Sequence, residues 1–354
     1  MVCNLKCGVK EIPVYFYNYK IEERLLETSM LIDLFLRYLK LHSIQITDKQ
    51  KKLLYAEESI SSCYIEGYES YLTPYFLLEE VIAKSTADKA VRANYKAYID
   101  SFNILDDVNN IEDILYLWKI VIKYKKLFRK NIRKSGVVVG NRKGISHKAP
   151  SAKYVKSLMN EMFESLSNIE IKGDKYCLLD GIIFHYLYTF IHPFLDGNGR
   201  SARLVQNLKI TKLSNLPFIF LISNVILRDK QSYYSVFKSG QKFGDNSLDI
   251  ISIDISDFIN YNLYTISQGL IESMRSLKLT FDYDVFLPEI EDVLFCMNSV
   301  GLFKREGIKD IINNLEYYCK LLLIGSVEET RYGVLRLHFK DVSKFLECIE
   351  KVRV

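Results

Sequence analysis

The chain has 354 residues, of which 49% are hydrophobic and 26% charged, and its 48 basic and 43 acidic side chains leave a net charge of +5. So small an excess gives no argument for nucleic acid over a solvated surface. The seven cysteines are odd in number and form no Cys-x-x-Cys pair, so neither a disulfide framework nor a zinc site is indicated. No apolar run reaches membrane-spanning length and no secretory core opens the chain, so a reduced, cytoplasmic protein without membrane association is expected. The 25 tyrosines and 20 phenylalanines read as core and surface aromatics. The length suits two or three domains.

Residues 1–18 read as extended around Ile12-Pro13-Val14-Tyr15-Phe16. From Ile21 to Leu41 the apolar residues Leu25, Leu26, Met30, Leu31, Leu34, Phe35, Tyr38 and Leu39 recur at helical spacing. Thr47-Asp48 caps the next helix and Gly67 closes it. Helical patterns follow at 75–85, 88–107 and 111–128. Val137-Val138-Val139, then Gly140-Asn141-Arg142-Lys143-Gly144, breaks the trend and predicts a hairpin. Pro150 opens a helix over 152–168, and Lys172-Gly173-Asp174 is a break before the apolar helix Cys177 to Ile191. Ser201 to Leu213, 229–243 and 254–277 read as further helix, so the first 277 residues are expected to be nearly all α with one hairpin. After a loosened stretch at 278–284 come helices at 287–299 and 305–316, strands at 321–325 and 332–338, and a helix at 340–351. That order predicts a small winged-helix-like α+β module over 285–354.

Between two of these helices lies His192-Pro193-Phe194-Leu195-Asp196-Gly197-Asn198-Gly199-Arg200-Ser201-Ala202-Arg203. A loop that opens onto a helix N-terminus presents unpaired N–H groups and a positive dipole end, an anion site. Gly197 and Gly199 let the backbone approach a diphosphate closely. Asn198 carries a side-chain amide donor. Arg200 and Arg203, three residues apart, share roughly one helical face and suit phosphate oxygens. Asp196 is a hard oxygen ligand for Mg²⁺ shared with phosphates. His192, with a reference pKa of about 6.5, suits a general base. Together they suit binding of a Mg-nucleotide and deprotonation of a hydroxyl.

This string resembles the signature of the Fic (filamentation induced by cAMP) family, HPFx[DE]GNGRxxR, at every specified position. His185 upstream and Asn207 downstream match family positions, and Tyr233-Tyr234 resembles the tyrosine pair that borders the nucleotide. Ile132-Arg133 with Val137, Val138, Val139 and Gly140 resembles the family's flap, although Ile132 replaces an aromatic and no Pro-Gly precedes it. His147, after the turn, matches a loosely kept position and is assigned no catalytic role. Residues from about 10 to 265 look like an N-terminal Fic_N region plus a Fic core. The resemblance implies a mainly α fold, a Fic-type helical bundle with one β-hairpin flap, beside the C-terminal module. The expected domains are 1–90, 91–277 and 285–354.

The activity that the resemblance implies is AMPylation, transfer of AMP from ATP to a Ser, Thr or Tyr hydroxyl of a target protein. His192 is then the base and Asp196 the Mg²⁺ ligand. Gly197, Asn198 and Gly199 form the anion hole, Arg200 and Arg203 hold phosphates, and Phe194 anchors the loop in the core. The distant Doc toxin kinase replaces GNGR with a bulkier pattern, and the intact GNGR here implies AMP transfer. The flap edge would add a strand from the target.

Ser62-Cys63-Tyr64-Ile65-Glu66-Gly67 fits the family's inhibitory motif, [ST]xxxE[GN]. By resemblance Glu66, on a helix at about 48–67, pairs with Arg203 and occupies the place of the γ-phosphate. Three alternatives stand beside this expectation: removal of AMP from a modified target, another donor such as UTP or CDP-choline on the same site, and a DNA-binding regulator acting through 285–354. The bland reading of that segment is recruitment of targets or formation of a homodimer.

Overall fold

The computed structural model describes residues 2–7, 10–41, 43–79, 81–105, 107–125, 132–141, 144–168, 177–243, 250–277, 327–329 and 335–337. The chain divides into two compact units, Met1–Ser29 with Ile46–Leu270 and Met30–Gln45 with Ile271–Val354. None of the described helices is long and apolar enough to cross a membrane.

The first unit opens with an antiparallel hairpin, β1 (Cys3–Cys7) and β2 (Lys10–Tyr15), followed by α1 (Asn18–Leu41), which continues into the second unit. Next comes α2 (Asp48–Ile65), whose start is fixed by a capping box between Thr47 and Gln50. The chain then forms α3 (Pro74–Leu78), α4 (Thr86–Ile104) and α5 (Ile111–Val121). The hairpin of β3 (Val138–Asn141) and β4 (Gly144–Lys148) follows, with a register shift between Val139 and Gly140. A short 3₁₀ turn leads into α6 (Val155–Asn168). The centre of the unit is α7 (Cys177–Ile191) and α8 (Asn198–Leu213).

The remaining elements are α9 (Ile222–Arg228), α10 (Lys230–Ser239), β5 (Gln241–Phe243), β6 (Ile250–Asp254) and α11 (Ser256–Ser276). The helix expected over 75–85 ends at Leu78 and that over 111–128 at Val121, and two further sequence expectations are corrected here. The helix expected over 229–243 ends at Ser239, and Gln241–Phe243 turns into a strand. The "nearly all α" first 277 residues also hold a four-stranded sheet in the order β1-β2-β6-β5. In it β2 runs parallel to β6 with Val14 opposite Ile253, whereas β5 is antiparallel to β6. Strands of three to six residues are too short for alternation to register, and the pairing joins segments far apart in the sequence, as Val14 and Ile253 are.

In the second unit the described strands β7 (Val327–Glu329) and β8 (Leu335–Leu337) pair antiparallel. The expected strand at 332–338 contains β8, and β7 follows the expected 321–325. The rest of the winged-helix-like module lies outside the described residues.

Candidate active site

Helix α7 is apolar nearly all round and buried, with Ile182, Ile183, Phe184, Leu187 and Ile191 essentially inaccessible. Its partner α8 is also buried, yet it is rich in polar residues. Burial of a polar group is costly unless it is hydrogen-bonded, and most of α8 obeys this. Lys209 pairs with Asp107 and Asp180, each at 2.9 Å. Asn207 exchanges hydrogen bonds with the main chain of Phe220 at 3.0 and 3.1 Å. Gln206 donates to Asn262 at 3.1 Å and contacts Nδ1 of His185. His185 Nε2 meets the Tyr233 hydroxyl at 2.9 Å, and burial pushes the imidazole down to about 3. His185 is therefore a neutral core histidine.

Thr211 Oγ1 near the end of α8 lacks a partner among the described residues, but the charged exceptions lie at its start. Nε and Nη1 of Arg200 and Nη1 of Arg203 are buried without a hydrogen-bond partner among the described residues. The side chains are 0% and 1% exposed respectively. The helix itself begins without a side-chain cap. Uncapped N–H groups and two buried guanidiniums with spare donors converge on one place.

The loop feeding α8 is held from three sides. Gly197, the N-cap, has φ +84°, a left-handed conformation that glycine adopts without strain, and a Cβ there would meet Ile122 at 2.9 Å. Asn198 donates its amide to Phe194 O at 2.8 Å and accepts from Phe194 N–H at 3.0 Å, closing the loop on itself. Its side chain is thus committed to the loop, and only its backbone N–H remains for an anion. This narrows the anion-hole part expected of Asn198. The Phe194 ring stacks on Trp118 at 4.1 Å, and the indole N–H donates to Asp196 O at 2.8 Å.

Arg133 is the third support. Its Nε donates to His192 O at 2.7 Å, and its Nη groups donate to Ser135 O at 2.9 Å, Pro150 O at 2.5 Å and Ile191 O at 3.2 Å. Its own N–H donates to Pro193 O at 2.9 Å. His192 sits at φ +50°, off the end of α7, in a conformation that this clamp maintains.

Asp196 collects cations. Its Oδ1 accepts from the Gly197 N–H at 2.7 Å and from Arg200 Nη2 at 3.2 Å. Its Oδ2 accepts from Lys125 Nζ at 2.6 Å and from the Tyr68 hydroxyl at 3.2 Å. Burial raises its carboxyl, but Arg200 and Lys125 outweigh burial and hold it below the ordinary range.

The end of α2 meets the other arginine. Arg203 Nη2 donates to Glu66 Oε1 at 2.7 Å and to Ser62 O at 3.0 Å, and Nε donates to Ser62 Oγ at 3.0 Å. Burial opposes the charge of Arg203, and Glu66 more than offsets that. Tyr233 is buried with its hydroxyl against His185, while Tyr234 is 40% exposed. Val137 lies just before β3 and accepts from Ala149 N–H at 3.2 Å. Val138, Val139 and Gly140 form the flap strand itself, beside whose partner β4 lies α10.

Tyr68, Tyr124, Lys125 and Trp118 were not singled out from the sequence, and Arg133 was noted only as a flap position. Lys125 sits in a basic run that reads as solvated surface. Tyr68 has one available signal, its place two residues after Glu66.

Residues 104–209 match the model of the Fic/DOC family. A probable protein adenylyltransferase of Aquifex aeolicus is 27% identical over 264 residues, 73% of this chain and 71% of that protein. The protein adenylyltransferase Fic of Drosophila willistoni is 29% identical over 129 residues, 36% of this chain, and the match spans 24% of that protein's length. Among solved structures, a Fic family protein from Desulfovibrio desulfuricans superposes with a TM-score of 0.57 at 22% identity, covering 92% of this chain and 98% of that one. A Fic-domain-containing signaling protein from Bacteroides thetaiotaomicron gives a TM-score of 0.55 at 17% identity, covering 70% and 97%. These two likenesses are of fold.

Proposed function

The chain carries a Fic/DOC-family domain over residues 104–209, and from that premise we propose that it transfers AMP from ATP to a side-chain hydroxyl of a target protein. The observation that carries the reading is the uncapped N-terminus of α8, flanked by buried arginine N–H groups that no described residue satisfies. Phosphate oxygens are the ligands that such donors suit.

In this reading the main-chain N–H groups from Asn198 onward, together with Arg200, receive the phosphates, and Arg203 receives the γ-phosphate. His192 takes the proton of the target hydroxyl. The hydroxyl oxygen bonds to the α-phosphorus, the bond to the β-phosphate bridging oxygen breaks, and pyrophosphate leaves. Positioning and charge stabilisation supply most of the acceleration in such transfers. Arg133 serves by fixing the main chain at His192. The flap strand β3 offers backbone groups to an extended segment of the target.

Mg²⁺ fits at Asp196. Among the described residues no group of three or more His, Cys, Asp or Glu side chains is arranged for a metal. One half-buried carboxylate beside an anion site instead suits Mg²⁺ that arrives with phosphates and keeps its waters. When bound and held by Asp196, it would neutralise negative charge developing on the phosphates.

Glu66 is read as a brake. A carboxylate on Arg203 competes with the γ-phosphate, and ATP held without that contact has a misaligned α-phosphorus. A cytoplasmic setting is supported by the free thiols Cys3, Cys7 and Cys63.

The test uses a Glu66→Gly chain, a cell lysate and ATP, with mass spectrometry of the proteins. An AMP adduct is expected on at least one protein, and none is expected when His192→Ala is added. No adduct from a variant that still binds ATP would refute the reading.

A further inference from the structure

The segment that ends α2 meets the loop from His192 to Arg203 at two places, at Arg203 through Ser62 and Glu66, and at Asp196. Two residues later the Tyr68 hydroxyl reaches Asp196 Oδ2 at 3.2 Å. The same oxygen lies 2.6 Å from Lys125 Nζ. The ammonium also stands 5.6 Å from the centre of the Tyr68 ring and 5.8 Å from that of Tyr124. These two rings pack edge to face at 5.8 Å, and Arg200 lies 4.9 Å from the Tyr68 ring. The second oxygen of Asp196 is taken by Gly197 N–H and Arg200.

A hard divalent cation needs a carboxylate oxygen that is not already neutralised. Here Oδ2 is covered by a charged ammonium and a hydroxyl, both from outside the nucleotide loop. We propose that Lys125 is a tethered cation that competes with the divalent metal for Asp196, and that Tyr68 couples this competition to the inhibitory segment. The inference rests on the reading of Asp196 as the metal ligand.

The chemistry suits displacement. A lysine head is a point charge on a flexible stem. Once it leaves Asp196, the faces of Tyr68 and Tyr124 still receive it. The resting site is then held at two points, Glu66 on Arg203 and Lys125 with Tyr68 on Asp196. Metal-bound ATP can displace both. Metal-free ATP contests only the first.

The probe is Mn²⁺, titrated into the full chain by electron paramagnetic resonance, for the wild type, Lys125→Gln, Lys125→Arg, Tyr68→Phe and Asp196→Ala. Lys125→Gln is expected to bind Mn²⁺ at least threefold tighter than wild type, Lys125→Arg within twofold of it, and Tyr68→Phe in between. Asp196→Ala is expected to lose the site. A companion measurement needs no variant: amine-reactive labelling of Lys125, read by mass spectrometry, should rise when Mn²⁺ and ATP are added and stay level with ATP in chelator. Equal or weaker Mn²⁺ binding by Lys125→Gln at a site that Asp196→Ala removes, or labelling indifferent to metal, would overturn the role of Lys125. Mn²⁺ binding indifferent to Asp196→Ala would instead overturn the metal assignment, and the inference with it.

Discussion

A methyl group on Gly199 would lie 2.1 Å from Oε1 of Glu66 and 3.1 Å from Nη1 of Arg203. The carboxylate thus rests against the bare backbone of the first turn of α8, where an anion at that helix end would make its main-chain contacts. Gly199→Ala must push Glu66 aside, at a cost of about 1–3 kcal/mol for overpacking. In a Glu66→Gly background the same substitution should cost little, since alanine is the better helix former by about 1 kcal/mol. A thermal-melt double-mutant cycle reads this as a coupling of about 1 kcal/mol or more. Additive melting shifts would mean that the two residues do not meet in solution.

Removing the carboxylate should release activity. Glu66→Gly is expected to raise transfer of label from α-labelled ATP by about tenfold or more, since realigning a misplaced phosphorus is worth orders of magnitude. Ser62→Ala should raise it only a few-fold. The alanine loses the bond from Arg203 Nε but keeps the main-chain acceptor for Nη2. A Glu66→Gly chain no faster than wild type, with ATP binding intact, would remove the brake.

His192 and Arg133 should separate chemistry from scaffold. His192→Ala is expected to abolish transfer while leaving the ATP dissociation constant within about twofold, as a group that acts on the hydroxyl rather than on ground-state binding should. Arg133→Ala strips the carbonyls of His192, Ser135, Pro150 and Ile191 of their donors. It should destabilise the fold by about 2–4 kcal/mol, because several buried acceptors lose a charged partner at once. In a domain of this size that is a drop of roughly 5–12 °C in Tm. Unchanged melting would show that the clamp does not hold the loop.

Two buried groups give opposing pH dependences. Glu58, on α2, accepts from Ser223 N–H at 2.9 and 3.1 Å, yet burial pushes its carboxyl up to about 7 from 4.5. The folded state then binds more protons than the unfolded one, and stability falls as pH rises from 4.5 towards 7. His185 is pushed down by burial to about 3 from 6.5, so stability rises with pH across that window. Where the windows overlap the two cancel. Glu58→Gln should unmask the histidine, with urea-unfolding stability gaining about 1–2 kcal/mol from pH 5 to pH 6.5 while wild type stays nearly level. Parallel curves for the two proteins would refute the assignment.

The candidate loop could be picked out in advance because its chemistry is contiguous: histidine, carboxylate, glycines and both arginines fall within His192 to Arg203. Glu66 could be paired with Arg203 only because its motif resembles a known one, since no periodicity joins residues 137 apart. Lys125 and Tyr68 had no such motif, and each alone is an ordinary surface type. The sheet was illegible for a related reason. Its strands are short, and the end of β2 is tied to the start of α11 by Tyr17 N–H on Ser256 Oγ, 239 residues apart. Local propensity carries no information about such pairings.

The order of Glu66 and Arg203 along the chain has a consequence during synthesis. Translation proceeds from the N-terminus, so the carboxylate leaves the ribosome 137 residues before the arginine it covers. Helix α2 starts from its own capping box, which needs nothing downstream. When α8 emerges, the residues that occupy Arg203 are already made. A nascent chain therefore never presents the finished loop before the carboxylate that pairs with Arg203 exists, and a truncated product too short to contain α8 holds that carboxylate alone.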